Sequence, residues 1–273
     1  MPPLSVPFRR LVPLLALLLS FIVVAPAGAA SVELTASLKA SLDKTAASAD
    51  AKTAARLRTL YAELDVQLQA DKKMAADIKT LKHRNEEAVL LVRKQIREID
   101  AARIARLAAE AQQAKARYKP LLDSYASLNK RLSLARSVKS KTLVSALSFQ
   151  AEAMKLPVRL AREDMKAKND AHKAAKAAAS AKIKAARDSL SAIDPLKIQI
   201  KDRRSSMSRT RAGLSPVWSN FKYALKKNDP GSAVQSLNSL VAAVKQIVAD
   251  QQRIYVLEGK IASVIAVTKA RHL

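Results

Sequence analysis

No cysteine occurs in the 273 residues, which removes disulfides, thiolate metal sites and cysteine nucleophiles together and leaves packing alone to hold the fold. A lipid-modified N-terminal cysteine is excluded for the same reason. Glycine is nearly as scarce: of four residues in all, Gly213, Gly231 and Gly259 lie beyond the first thirty positions. They leave no phosphate-cradling loop, nucleophile elbow or dinucleotide fingerprint. Beyond the same point the prolines are Pro120, Pro157, Pro195, Pro216 and Pro230. So little turn chemistry allows few reversals, and the helices are expected to be long. Aromatics make up 4% of the chain, and the commonest residue in its 49% apolar content is alanine, which buries little area per residue. A thick globular core is not expected.

Catalytic and cofactor signatures are missing too. His83, His172 and His272 are far apart in sequence, and none belongs to a helical His/Glu set of the kind that builds zinc or di-iron sites. His83 and Glu87, one helical turn apart, read most simply as a surface ion pair. No serine or threonine has a recognisable base beside it. The expectation is a protein that is not an enzyme and carries no cofactor or metal.

The N-terminus is informative. Arg9 and Arg10 precede an apolar run from Leu11 to Ala25, followed by Pro26-Ala27-Gly28-Ala29-Ala30. This is the charged, apolar and small-residue order of a secretory signal peptide. Residues 1–29 are assigned to it, with cleavage after Ala29 or Ala30. The competing reading is a retained anchor, but the 15-residue run contains Pro13 and is shorter than the roughly 20 residues a spanning helix needs. The best later stretch, Ile254 to Val267, is 14 residues long and includes Glu258 and Lys260. The mature chain is therefore expected to be secreted or extracytoplasmic, soluble or peripherally bound.

What the chain does have is helical periodicity. A spacing of three and four runs through Leu57, Leu60, Leu64, Met74, Ile78, Leu81, Asn85, Ala88, Val92 and Ile99, interrupted by Gln67, Asp71 and Gln95. In a heptad frame Ile78, Asn85, Val92 and Ile99 share one core position, and Met74, Leu81, Ala88 and Gln95 the other. Asn85 either sets the register of a paired helix or sits at the wet edge of an intrachain bundle. The phase continues to Leu121, Tyr125, Leu128 and Leu132, so Pro120 reads as a kink. A helix from about Ser48 to Tyr118 would be roughly 100 Å long; it must either fold back as an antiparallel hairpin or pair with a second copy. The serine-rich stretch 133–148 and the Leu156-Pro157 step are the weak candidates for interruption.

Nearer the C-terminus, Asp194-Pro195 and Ser215-Pro216 each read as a cap followed by a first-turn proline. Asn228-Asp229-Pro230-Gly231 reads as a tight connection. The last helix places Leu237, Leu240, Val244, Ile247, Gln251, Ile254, Ile261 and Ile265 at seam spacing, and Trp218 and Phe221 sit one turn apart, as core residues do. The fold class is all-α: an elongated bundle or coiled coil of long, kinked helices, with a long-helix region at 30–193 and a C-terminal helical hairpin region at 194–273.

Charge then points to partners. The formal net charge is +26, or +24 once Arg9 and Arg10 leave with the leader. Lys155 to Arg187 holds ten basic residues against Glu163, Asp164 and Asp170, and Lys201 to Arg211 is a second basic patch. Such a chain attracts polyanions and releases their counterions. The candidate polyanion-binding residues are Lys173, Lys176, Lys182, Lys184, Arg187, Arg203, Arg204, Arg209 and Arg211; the competing view is that these form an ordinary solvated face. Outside the cytoplasm the expected partner is an anionic envelope polymer or an anionic membrane surface, with homo-oligomerisation through the seams. Nucleic acid is the alternative partner. N-terminal sequencing of the protein from its native host is expected to give Ala30 or Ser31; bulk protein starting at Met1 would contradict cleavage.

Overall fold

The computed structural model describes residues 32–273; the leader and its cleavage site lie outside the described residues. Six helices follow in order: α1 (Ala36–Ala47), α2 (Ala51–Arg97), α3 (Ala101–Ser137), α4 (Lys141–Ser191), α5 (Ile193–Lys227) and α6 (Pro230–His272). There is no strand among the described residues, and the all-α, elongated class holds.

Side-chain caps begin three of the helices by accepting hydrogen bonds from otherwise orphaned backbone N–H groups. Thr35 Oγ1 accepts from the Leu38 amide at 3.2 Å, Asp50 from the amides of Lys52 and Thr53 at 3.0 Å each, and Asp229 from the Ser232 amide at 3.1 Å. The side chain and backbone of Thr53 hold the Asp50 carboxyl below its ordinary range, and Ser232 does the same for Asp229.

The breaks between long helices use left-handed residues that are not glycine. Asp100 (φ 56°), Lys139 (φ 54°) and Asn228 (φ 56°) mark the α2–α3 bend, the α3–α4 reversal and the α5–α6 reversal. Asp and Asn tolerate this conformation because their short side chains bond locally. Lys139 has no such help; its turn is closed by the Lys139 amide donating to Arg136 O and the Ser140 amide to Ala135 O, at 3.1 and 3.2 Å. The reversal thus falls inside the serine-rich stretch, and the long helix folds back within one chain.

Two expected interruptions are absent. Pro120, Pro157 and Pro216 all lie inside helices, so Ser215-Pro216 does not start a new helix and Leu156-Pro157 does not end one, while Pro120 sits within a continuing helix as the phase around it predicts. Each proline is exposed, as are Ala116, Ala153 and Ala212 four residues before them; water can take up the carbonyls that lose their donors. Asp194 is not the cap of α5 either. Ala192 occupies that position without a side-chain hydrogen bond, and Asp194 sits in the first turn.

Two rods of about 87 residues result, 51–137 running out and 141–227 running back. α6 runs out again beside α2, in parallel: Arg56 donates to Asn238, Lys245 pairs with Glu63, and Gln251 bonds Asp71. It ends at the bend, where its last residues line a hollow with Gln95, Glu98, Asp100 and Lys182. From α1 to the bend the molecule is a helical bundle, the base. Beyond it α3 and α4 continue alone as a two-helix arm, roughly 55 Å long at 1.5 Å per residue.

The base holds two apolar clusters. The outer one joins Leu57, Leu60 and Leu64 of α2, Trp218 and Phe221 of α5, and Leu237, Leu240, Val244 and Ile247 of α6. The Trp218 and Phe221 rings lie 5.6 Å apart between centroids. The second, nearer the bend, joins Ile78, Val89, Val92 and Ile96 to Ile193, Ile200, Ile254, Ile261 and Ile265. The seam of α2 is therefore made by residues 78, 85, 89, 92 and 96, while Met74, Leu81, Ala88 and Gln95 are only half-buried at its edge. The C-terminal hairpin shares its core with α2 throughout.

A polar layer separates the two clusters. Asp71 Oδ1 accepts from Arg211 Nη2 and Gln251 Nε2, both at 2.6 Å, tying α2, α5 and α6 together. Beside it Asp250 is fully buried, with Arg203 and Arg253 at 3.6 and 3.5 Å. One step towards the bend, Asn85 Nδ2 donates to the backbone carbonyl and carboxylate of Glu258, each at 2.9 Å. Asn85 is neither at a wet edge nor paired with a second copy: it is buried against α6.

Ile247 is 1% exposed in the first cluster. Ile247→Asp is expected to destabilise the protein by at least about 3 kcal/mol, since a carboxylate there has no partner. The melting temperature should fall by about 10 °C. An unchanged melt would show that α6 is not packed as described.

Candidate polyanion-binding surface

The nine basic residues singled out in the sequence divide into two groups by what they touch. Four are engaged by acids. Lys182 Nζ donates to Asp100 Oδ2 at 2.8 Å across the bend, Arg203 faces buried Asp250, Arg211 is bonded to Asp71, and Lys184 pairs with Asp188 one turn on at 3.0 Å. The first three fasten one helix to another. The Lys184 pair lies in water, where such a contact contributes little and exchanges readily. Arg209 reaches only the Ser205 hydroxyl, at 3.3 Å. Lys173, Lys176, Arg187 and Arg204 are exposed and have no ion pair among the described residues.

The fold adds basic residues that linear proximity hides. Over part of their length α2 and α5 form the two walls of a groove floored by α6, which packs against both. Near the bend this groove opens into a hollow lined by Arg93 and Arg97 of α2, Arg187 of α4 and Lys197 of α5, with Asp194 as its one acid and Val89, Ile96, Leu190 and Ile193 beneath. Farther along, a second hollow is lined by Lys79 and Lys82 of α2 and Arg204 and Arg211 of α5, with no acidic residue in its lining and Gln251 and Ile254 at its floor. The two hollows are roughly 20 Å apart along α2. Arg187 and Arg204, from separate sequence patches, thus belong to one basic track. Lys82 also meets Glu86 at 3.4 Å. Sequence reasoning missed Lys79, Lys82, Arg93, Arg97 and Lys197; their signal was five cations on the α2 and α5 edges beside the seam, readable only once the pairing of those helices is known.

The arm is basic along its length. Between Ala101 and Ser191 there are 20 basic and 7 acidic residues, a balance of +13. Its seam is thin, with Ala114, Ala135, Ala151, Ala161, Ala175 and Ala179 among the buried positions, so the helices meet closely and their cations face outward. Lys155, Arg159, Arg162, Lys166 and Lys173 recur at spacings of three, four and seven on the exposed side of α4. Glu152 and Glu163 neutralise Lys155 and Arg159 in part.

Other chemistry is sparse. His83 Nε2 lies 3.3 Å from Glu87 Oε1 in an exposed pair. Among the described residues no group of three or more histidines and carboxylates is placed to hold a metal ion, and no helix is long and apolar enough to cross a membrane. The sequence matches no protein-family model, no curated protein and no solved structure.

Proposed function

We propose that this is an extracytoplasmic structural and interaction protein, a basic helical rod that binds anionic polymers of the cell envelope or an anionic membrane surface. The observation that carries the reading is the α2–α5 groove. Two hollows, lined by eight cations and one acid, lie in line on a rigid scaffold, an arrangement suited to an extended chain of phosphates rather than to a compact small molecule. The outward cations of the arm extend the same positive field. Concave placement matters because cations held against an apolar floor are less screened than those on a convex face.

The second reading is a nucleic-acid-binding protein, which the same charge would serve. Duplex DNA carries about one charge per 1.7 Å, and a basic track cannot by itself tell one phosphate polymer from another. The secretory leader in the sequence favours the envelope polymer. The apolar seams of the base are filled by the chain's own α6, so self-association would have to use other surfaces.

Binding to a polyglycerol phosphate chain should be Coulombic. Affinity is expected to fall about 10³-fold or more between 50 and 200 mM salt if six or more phosphates are engaged. A variant with Arg97, Arg187, Lys197 and Arg204 all changed to Gln loses exposed cations without touching the pairs that join the helices. It should keep its melting temperature, and the log–log salt slope should drop by about three. An unchanged slope would remove the groove from the binding surface. Salt-resistant, sequence-selective binding to duplex DNA would instead establish the second reading.

A further inference from the structure

The free end of the arm combines two features that rarely coincide on a solvated surface. The first is apolar exposure. Leu134 and Val138 at the end of α3, and Leu143 and Phe149 at the start of α4, are 67, 70, 54 and 78% exposed. Phe149 is one of only four phenylalanines in the chain, and no described large apolar residue is more exposed. Farther along, Leu156 and Leu160 are each 54% exposed, and with Phe149 they recur at spacings of seven and four on one face of α4. None of these residues is needed to join the two helices, because Leu128, Leu132 and Ala151, with Val144, Leu147 and Met154, already fill the seam there.

The second feature is charge of one sign. From Ser124 to Ala151 there is no acidic residue, while Lys130, Arg131, Arg136, Lys139 and Lys141 supply five cations. None of the five has an ion pair among the described residues. Lys139 sits at the apex itself, in the left-handed conformation that closes the turn.

We propose that this tip docks on an anionic lipid bilayer, with Leu134, Val138, Leu143 and Phe149 entering the boundary between headgroups and acyl chains and the five cations meeting lipid phosphates. The proposal rests on the reading of the protein as a binder of anionic envelope surfaces and names where on the molecule a membrane would be met. Charge decides the occupant. A second tip would bring five cations against five with no acid to offset them, whereas a bilayer with anionic lipid supplies the opposite sign and an apolar interior in one partner. Shape agrees, since the end of a two-helix arm can reach a surface that the broader base cannot. Apolar insertion also gives the contact a component that salt does not screen, unlike the groove, whose attraction is Coulombic.

The test uses the full mature chain and vesicles of phosphatidylcholine mixed with phosphatidylglycerol, compared with vesicles of phosphatidylcholine alone and with a polyphosphate chain. Wild-type protein is expected to bind the mixed vesicles and to retain measurable binding at 0.5 M salt, where the Debye length is roughly threefold shorter than at 50 mM. A variant with Leu134, Val138, Leu143 and Phe149 all changed to Ser should lose that residual binding by at least about a hundredfold. Its binding to polyphosphate should stay unchanged. Phe149→Trp, at a position too exposed to disturb packing, should give blue-shifted emission on mixed vesicles, against the constant background of buried Trp218. Equal vesicle binding by the Ser variant at every salt concentration, or no spectral shift, would overturn tip insertion and leave the Coulombic reading standing. Binding to polyphosphate but not to vesicles would do the same, and binding to neither would overturn both. A lipid-free dimer of the wild type that the Ser variant abolishes would assign this face to a second copy instead.

Discussion

The structure depends on the apolar stripe of α6. Leu237, Leu240, Val244, Ile247, Ile254, Ile261 and Ile265 are buried in succession along the helix, and their partners come from α2 on one side and α5 on the other. Without α6 the two long rods would face each other over seams that are polar or alanine-rich at many positions. With it, each has a continuous apolar surface to cover. At about 25 cal/mol per Å² of apolar area removed from water, a column of fully buried Leu, Val and Ile is the dominant favourable contribution available to a chain with few aromatics and no disulfide. Where α6 stops, at Leu273 beside the α2–α3 bend, that contribution stops as well. The arm beyond is left with a narrow seam and two nearly solvated helices.

The polar layer at Asp71, Arg211, Gln251 and Asp250 has the opposite effect on energy and a complementary effect on order. Burying such groups costs more than burying leucine, and Asp250 Oδ1, Gln251 Oε1 and Arg211 Nε lack a hydrogen-bond partner in the structure. A slide of α6 by one heptad would place Gln251 against Leu64 or Ile78 and part Asp250 from Arg203, leaving buried polar groups unpaired at a larger penalty than the layer carries in register. Two apolar clusters with a single polar layer between them therefore fix the axial alignment of three helices that would otherwise fit at several offsets. The same alignment brings Lys79, Arg93 and Arg97 opposite Lys197, Arg204 and Arg211, so the groove is a consequence of the register.

The sequence disclosed the fold class and much of the seam because both rest on local periodicity. Leu57, Leu60, Leu64 and the whole α6 series read correctly, as did the Asn228–Gly231 turn, where the left-handed Asn and the capping Asp carry their own signatures. The other breaks were less legible for a physical reason: the serine-rich stretch 133–148 marked the α3–α4 reversal only weakly, because Lys139 adopts a left-handed turn that no residue type advertises, and Asp100 resembles any helix-surface acid. Conversely, Pro216 looks like a helix start but lies on an exposed face where its missing hydrogen bond matters little. The candidate site was half legible. Basic patches are visible in composition, yet whether a cation is spent on Asp100, Asp71 or Asp250 depends on contacts between residues far apart in the chain. Gln251 and Asp71 were each visible as polar interruptions of a seam; that they interrupt it at the same level required the pairing of α2 with α6.

A base knitted by α6 carries a free two-helix arm, and the chain is elongated as a whole. Small-angle scattering on the monomer fraction of the mature protein measures that elongation. Rods of 87 residues span about 130 Å, and a uniform rod of that length has a radius of gyration of about 38 Å. A value near that figure is expected, with a pair-distance distribution tailing beyond 100 Å or so. A radius close to the roughly 19 Å of a compact chain of this size would mean that the arm folds back on the base, and would contradict it.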